Sequence, residues 1–171
     1  MTDYRHLIRE IPDFPEQGIL FRDITPLLLD PQAFAWAIDG MTRAVESLSI
    51  DVIVAVEARG YLFGAPMAHA LGLALAPVRK VGKLPYRTLG VEYALEYGST
   101  TVEIHEDGIR PGQRALLVDD LLATGGTLRA AQDLVAKAGG ESVGAVVLIE
   151  LVDLSGRERL GDYPVHALIS L

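Results

Sequence analysis

Five stretches of the chain are almost continuously apolar and rich in β-branched residues: 51–56, 73–78, 114–118, 143–152 and 165–170. Solid apolar runs of this length predict strands covered on both faces, as in a parallel sheet. Helical periodicity lies between them. Asp30-Pro31 sets a capping residue before a proline at the first helical position. Behind it Phe34, Ile38, Met41, Val45 and Leu48 recur at steps of four and three, predicting one apolar stripe. A second helix is predicted over 127–138, closed by Gly139-Gly140. Residues 61–78 are nearly free of polar side chains, but Gly64, Pro66, Gly72, Pro77 and His69 interrupt them. A short buried helix followed by a buried strand fits that segment better than a membrane span. Strand–helix alternation predicts one α/β domain over 1–171, an open, mostly parallel twisted sheet flanked by helices.

Two regions break the alternation. Residues 12–29 gather Pro12, Pro15, Gly18 and Pro26 around Ile19-Leu20-Phe21-Arg22-Asp23. Residues 80–100 gather Lys80, Gly82, Lys83, Pro85, Arg87, Gly90 and Gly98. An irregular stretch of that length in a small domain is commonly a functional lid.

Composition narrows the chemistry. The 171 residues are 50% hydrophobic and carry a formal net charge of −8. The excess of anions gives no general attraction for nucleic acid or anionic membranes, so neither is expected as a partner. A polyanionic ligand must then be held by a local arrangement. With no cysteine in the chain, disulfides, zinc–thiolate sites and thiol nucleophiles are excluded. The N-terminus shows no apolar run behind a basic start, so no signal peptide is expected, and a cytoplasmic location is.

The strongest local signal runs from Ala115 to Thr127 in the sequence Ala-Leu-Leu-Val-Asp-Asp-Leu-Leu-Ala-Thr-Gly-Gly-Thr. It reads as a buried strand ending in two carboxylates, a glycine loop, then a helix. Backbone N–H groups at such a helix start suit a phosphate. Gly125 and Gly126 allow close approach, while Thr124 and Thr127 add hydroxyls. No lysine follows the glycines and the G-x-G-x-x-G spacing is absent, so neither common nucleotide loop is present. Asp119 and Asp120 would repel a phosphate unless they face another part of the ligand. Ribose hydroxyls or Mg²⁺ would accept them, which points to a ribose 5-phosphate.

Val118 to Thr127 resembles the phosphoribosyl-pyrophosphate signature of the type I phosphoribosyltransferases. Further blocks are similar to the adenine branch of that family: Ile11-Pro12-Asp13-Phe14-Pro15, residues 18–26, Glu57-Ala58-Arg59-Gly60-Tyr61-Leu62-Phe63-Gly64, Arg79-Lys80, Gly82-Lys83-Leu84-Pro85 and Leu95-Glu96-Tyr97-Gly98. The resemblance implies the type I phosphoribosyltransferase fold, with an N-terminal hood in 1–29 and a mobile catalytic loop in 80–100. It implies transfer of phosphoribose to adenine, giving AMP and pyrophosphate, with Mg²⁺ held through pyrophosphate and ribose hydroxyls, not by a dedicated set of side chains. A homodimer is also implied.

Residue roles follow from the same resemblance. Ala123, Thr124, Gly125, Gly126 and Thr127 would hold the 5-phosphate, and Asp119 and Asp120 the ribose, where they would favour positive charge growing at C1. Glu57, Ala58, Arg59 and Gly60 would form the pyrophosphate loop, with a non-proline cis peptide expected between Ala58 and Arg59. Arg79, Lys80 and Lys83 would meet pyrophosphate as the mobile loop closes. Glu96 would act as acid or base at the purine. Leu20, Phe21, Arg22 and Leu121 would form the adenine site. Transfer to another nucleobase, or a non-catalytic regulator that senses phosphoribosyl pyrophosphate, are the competing readings. Departures from the family pattern, at Glu16-Gln17, Val81 and Tyr86-Arg87, are small.

Overall fold

The computed structural model describes residues 4–94, 99–162 and 164–171. By contact the chain divides into two units, Met1–Gly40 and Met41–Leu171.

In the first unit, β1 (Arg9–Pro12) and β2 (Leu20–Asp23) form an antiparallel pair in which Ile11 faces Phe21 and Glu10 faces Arg22. The connecting turn is held by Asp13, whose carboxylate accepts the Gly18 N–H at 2.7 Å, and Phe14 and Pro15 are joined by a cis peptide. The Phe14 and Phe21 rings meet edge to face with centroids 5.1 Å apart. Asp23 then accepts hydrogen bonds from the Thr25 N–H and hydroxyl at the start of α1 (Thr25–Leu29). Asp30 caps α2 (Pro31–Ala44) as expected, accepting the N–H groups of Gln32 and Ala33 at 2.9 Å. The fully buried line along the helix and its exit is Ala33, Ala37, Met41 and Val45, one residue ahead of the predicted Phe34 and Ile38. Alanines at its centre were invisible to a reading that weighted large side chains.

The second unit is built on a seven-stranded sheet in the order β5-β6-β4-β3-β7-β8-β9. The five predicted strands are β3 (Val52–Val56), β4 (Ala74–Lys80), β7 (Arg114–Leu122), β8 (Glu141–Glu150) and β9 (Val165–Ser170). All pair in parallel, in the order β4-β3-β7-β8-β9. Between them run α3 (Gly60–Leu71) and α4 (Gly126–Lys137). Alternate residues of β3 serve the two helices. Val52, Val54 and Val56 join a core with Leu128, Ala131, Leu134 and Val135 of α4, whereas Ile53 and Ala55 meet Gly64 of α3.

Residues 80–100, expected to be irregular, instead contain β5 (Thr88–Ala94) and the start of β6 (Ser99–His105), paired antiparallel with Val91 opposite Val102. β6 also pairs with the end of β4, Arg79 opposite Glu103. Lys137 at the end of α4 donates to the Gly90 carbonyl at 2.9 Å, tying this hairpin to the helix.

The chain moves outward from β3 to β4 and, in the opposite direction, from β7 to β8. Right-handed crossovers then set α3 and α4 on opposite faces and open a crevice beyond the carboxyl ends of β3 and β7, where the strand order reverses. Close approach of α3 to the sheet is set by Gly64, where a Cβ would lie 2.6 Å from that of Ala55. Gly64→Ala is expected to cost about 1–3 kcal/mol by overpacking, read as a fall in thermal midpoint of about 2–4 °C for each kcal/mol.

Candidate active site

A cavity of about 300 Å³ occupies that crevice, lined by residues 57–59, Lys80, Tyr93 and residues 119–128. The ends of four strands, β3, β4, β5 and β7, supply it. Of the predicted residues, Glu57, Ala58, Arg59, Lys80, Asp119, Asp120, Leu121 and Ala123 to Thr127 line it together. Gly60, Arg79 and Lys83 stand outside this lining. Leu20, Phe21 and Arg22 lie consecutively on β2 of the first unit, where Arg22 forms an ion pair with Glu10. Glu96 falls outside the described residues.

The loop after β3 carries a non-proline cis peptide, at Glu57–Ala58 and not at Ala58–Arg59 as expected. The correction follows from the sheet. Glu57 still donates its N–H to the Val78 carbonyl, continuing the β3–β4 pairing, so the chain reverses immediately after it. The Glu57 carboxylate accepts the Lys80 N–H at 2.9 Å and the Arg79 guanidinium at 3.3 Å. The Lys80 N–H bond holds this carboxyl below its usual range, with the Arg79 contacts assisting against burial. Arg79 also donates to the Lys83 carbonyl, so it braces the turn after β4 and does not point at the cavity as a free cation. Tyr61, the second residue of α3, donates its hydroxyl to the Val78 carbonyl at 2.8 Å, and burial pushes its pKa up to about 12.

β7 runs to Leu122, four residues past the predicted end, so both aspartates belong to the strand. Asp119 and Asp120 are 8% and 3% exposed. Adjacent strand residues point to opposite sides, and the two carboxylates have different partners. Asp119 accepts the Asp120 N–H at 2.8 Å. Asp120 forms an ion pair with Arg59, Nε to Oδ2 at 2.8 Å. Burial, then the charge of Asp120, pushes the Asp119 carboxyl well above the usual carboxylate range. Burial raises Asp120 too, but the Arg59 guanidinium opposes the shift. Room beside Asp119 exists because residue 60 is glycine: a Cβ there would come within 2.8 Å of the Val118 carbonyl and 3.0 Å of the Asp119 carboxylate.

The loop 123–127 turns through Gly125 at φ +80° into α4. Its main-chain N–H groups and the Thr124 and Thr127 hydroxyls make a neutral anion cradle at a helix start. Two contributors escaped the sequence reading. Tyr93 of β5 reaches the Thr127 hydroxyl at 3.3 Å and lines the cavity. Gly156 presses on the loop from behind, its carbonyl 2.3 Å from where a Gly125 Cβ would stand. Neither carries a local motif. The only hint for Tyr93 is the alternation Leu89, Val91, Tyr93, which is a strand pattern.

The cavity thus sets a buried acid pair beside a neutral glycine–threonine loop at a helix start, where the strand order reverses. A family model for the phosphoribosyl transferase domain matches residues 28–166, and the chain belongs to that family. An adenine phosphoribosyltransferase from Pseudothermotoga lettingae is 54% identical over 168 residues, 98% of this chain and 99% of its own. The crystal structure of adenine phosphoribosyltransferase from Thermoanaerobacter pseudethanolicus superposes with a TM-score of 0.95 at 51% identity, covering 98% of this chain and 97% of that one. The Saccharomyces cerevisiae enzyme, complexed with an imino-altritol bisphosphate and adenine, gives 0.89 at 39% identity, covering 96% and 95%. Within the family the affiliation is with the adenine phosphoribosyltransferases. The expected fold is therefore the observed one.

Proposed function

We propose that the chain is an adenine phosphoribosyltransferase, joining N9 of adenine to C1 of phosphoribosyl pyrophosphate and releasing pyrophosphate. The observation that carries this reading is the neutral loop 123–127 directly beside the buried Asp119–Asp120 pair in one cavity. The loop takes the 5-phosphate through main-chain N–H groups. The acid pair accepts hydrogen bonds from the ribose hydroxyls and favours the cationic character that develops at C1 as the C1–oxygen bond breaks. Arg59, Lys80 and the Glu57–Gly60 loop receive the departing pyrophosphate, while Arg79 holds that loop in register through Glu57. Lys83 joins them when the turn after β4 closes over pyrophosphate and excludes water.

Leu121, from the cavity lining, packs on the purine, and stacking on it is also the role proposed for Phe21. Main-chain groups of Leu20 and Arg22 read its amine edge, and Glu96 manages the proton at N7 as N9 attacks. Carboxylates beside bound phosphate oxygens form the all-oxygen set that Mg²⁺ prefers. Mg²⁺ would be held through pyrophosphate and the ribose hydroxyls that Asp119 and Asp120 grip, and no cluster of three or more His, Cys, Asp or Glu able to hold a metal occurs among the described residues. When bound, Mg²⁺ would screen the pyrophosphate charge. No helix among the described residues is long and apolar enough to cross a membrane, and a cytoplasmic homodimer is the form proposed.

The test is a panel of bases with phosphoribosyl pyrophosphate and Mg²⁺, followed by absorbance. Adenine should be converted to AMP. Hypoxanthine, guanine and orotate should fall behind by about 10⁴ in kcat/KM, because a base of the wrong donor pattern leaves buried groups unpaired. Comparable turnover of hypoxanthine would overturn the base assignment.

A further inference from the structure

Behind the 5-phosphate loop two backbones touch. A Cβ on Gly125 would lie 2.3 Å from the Gly156 carbonyl oxygen, and one on Gly156 would lie 2.2 Å from the Ala123 carbonyl oxygen. The loop is thus backed by the 3-10 turn Gly156–Arg159, which follows β8. That turn has little of its own to hold it: Ser155 before it sits at φ +49°, and its hydrogen bonds are short-range ones such as Leu160 N–H to the Arg157 carbonyl. Two anchors fix it. Leu160 is buried in the main core at 1% exposure. Arg157 grips the buried carboxylate of Glu150, at the end of β8, with two donors: Nε to Oε1 at 2.5 Å and Nη2 to Oε2 at 2.6 Å. Its third arm, Nη1, donates to the Val165 carbonyl on β9 at 2.5 Å. A bidentate pair of this kind fixes orientation as well as distance.

Glu150 is 7% exposed and lines no part of the cavity. A carboxylate buried at that depth is costly without its partner, and a hydrophobic pair could have filled the space. Its position supplies the reason for an ion pair. Glu150 sits opposite Leu122 in the β7–β8 register, and the Leu151 N–H donates to the Leu122 carbonyl at 2.9 Å. The clamp therefore ties the turn to the strand ends from which the phosphate loop departs.

Resting on the functional reading above, we propose that Glu150 and Arg157 are positioning residues for the 5-phosphate. By seating the turn on the ends of β8 and β9, they hold the Gly156 backbone against Gly125 and Ala123 and preset the loop's N–H groups for the anion. The pair touches no substrate and acts only through the loop. Its loss should therefore weaken ligands that carry the 5-phosphate and spare those that do not.

The experiment compares the intact chain with Arg157→Lys, which keeps the charge but cannot grip bidentately, and with Glu150→Gln, which keeps the size. Calorimetric titration with ribose 5-phosphate should show a dissociation constant raised about tenfold in each, as a misplaced binding group does. Titration with magnesium pyrophosphate should move less than twofold. In turnover, KM for phosphoribosyl pyrophosphate should rise while KM for adenine stays. Unchanged ribose 5-phosphate binding would overturn the proposal. So would equal weakening of both ligands, or failure of both variants to fold, since either makes the pair a general strut. Absence of adenine turnover in the unmodified chain would instead remove the functional reading, and the ribose 5-phosphate titration would still decide the clamp.

Discussion

Asp119→Asn is expected to make the ligand-free protein more resistant to heat while removing most of its turnover. The folded carboxyl is held well above its ordinary value, first by burial and then by Asp120. In the unfolded chain it titrates near the ordinary carboxylate value, about 3.9. Below that value both states hold the proton and Asp119 carries no penalty. As pH rises past it the unfolded state releases its proton while the folded state retains one, so stability falls across the window from about pH 4 up to the raised folded pKa. Asparagine does not titrate, and its side-chain oxygen can still accept the Asp120 N–H that Asp119 accepts at 2.8 Å. The variant should match the parent near pH 4 and exceed it at neutral pH, by about 2–4 °C for each kcal/mol of penalty removed. Once substrate is bound, the developing cation favours the ionised carboxylate, a charge that asparagine cannot supply, so kcat should fall by about 10²–10³. Scanning calorimetry at both pH values and a turnover assay check the two halves. A variant less stable at neutral pH and fully active would refute the assignment.

The second large effect is expected at Gly125. Alanine there meets two obstacles: φ of +80°, which costs an L residue of the order of 1–2 kcal/mol, and a main-chain oxygen 2.3 Å from its Cβ. Main chain cannot swing aside as a side-chain end can, so the loop itself must move. Gly125→Ala should raise the dissociation constant for AMP by at least about 10², since a shift near 1 Å in a positioning group is enough for that. Gly112 is the control, with φ +81° and nothing within 4 Å of its added Cβ. Gly112→Ala should show the conformational cost alone, as a lower thermal midpoint with AMP affinity intact. Equal AMP affinities in the two variants would mean that the contact with Gly156 is irrelevant.

The parallel strands were legible because burial on both faces demands unbroken apolar runs, as in Val52–Val56, where all five residues are buried. The β5–β6 hairpin was not. Only Val102 and Ile104 of β6 are fully buried, with Glu103 between them and Thr101 and His105 on either side, and β5 opens beside the Lys, Gly and Pro residues of 80–87. Such a strand carries half the signal of a core strand. The candidate site was readable wherever chemistry is local, in Asp119, Asp120 and the glycine–threonine loop. Tyr93 and Gly156 were hidden because their part is defined by what they touch across the fold. The cis peptide was placed one bond late because sequence locates a reversal but not the last residue still paired to the sheet. The contact of Arg79 with Glu57 was not legible because the two lie 22 positions apart.

The neutral character of the cradle at 123–127 has a bearing on ionic strength. Main-chain amide dipoles act over a single hydrogen bond, well inside the screening length of about 8 Å at 0.15 M salt. Potassium chloride should therefore compete poorly at the end proposed to take the sugar's phosphate. At the other end Lys80 and Arg59 line the cavity with full charges, and Lys80 is exposed. Salt loosens that grip first, so rising electrolyte favours departure of the two-phosphate product over departure of the nucleotide.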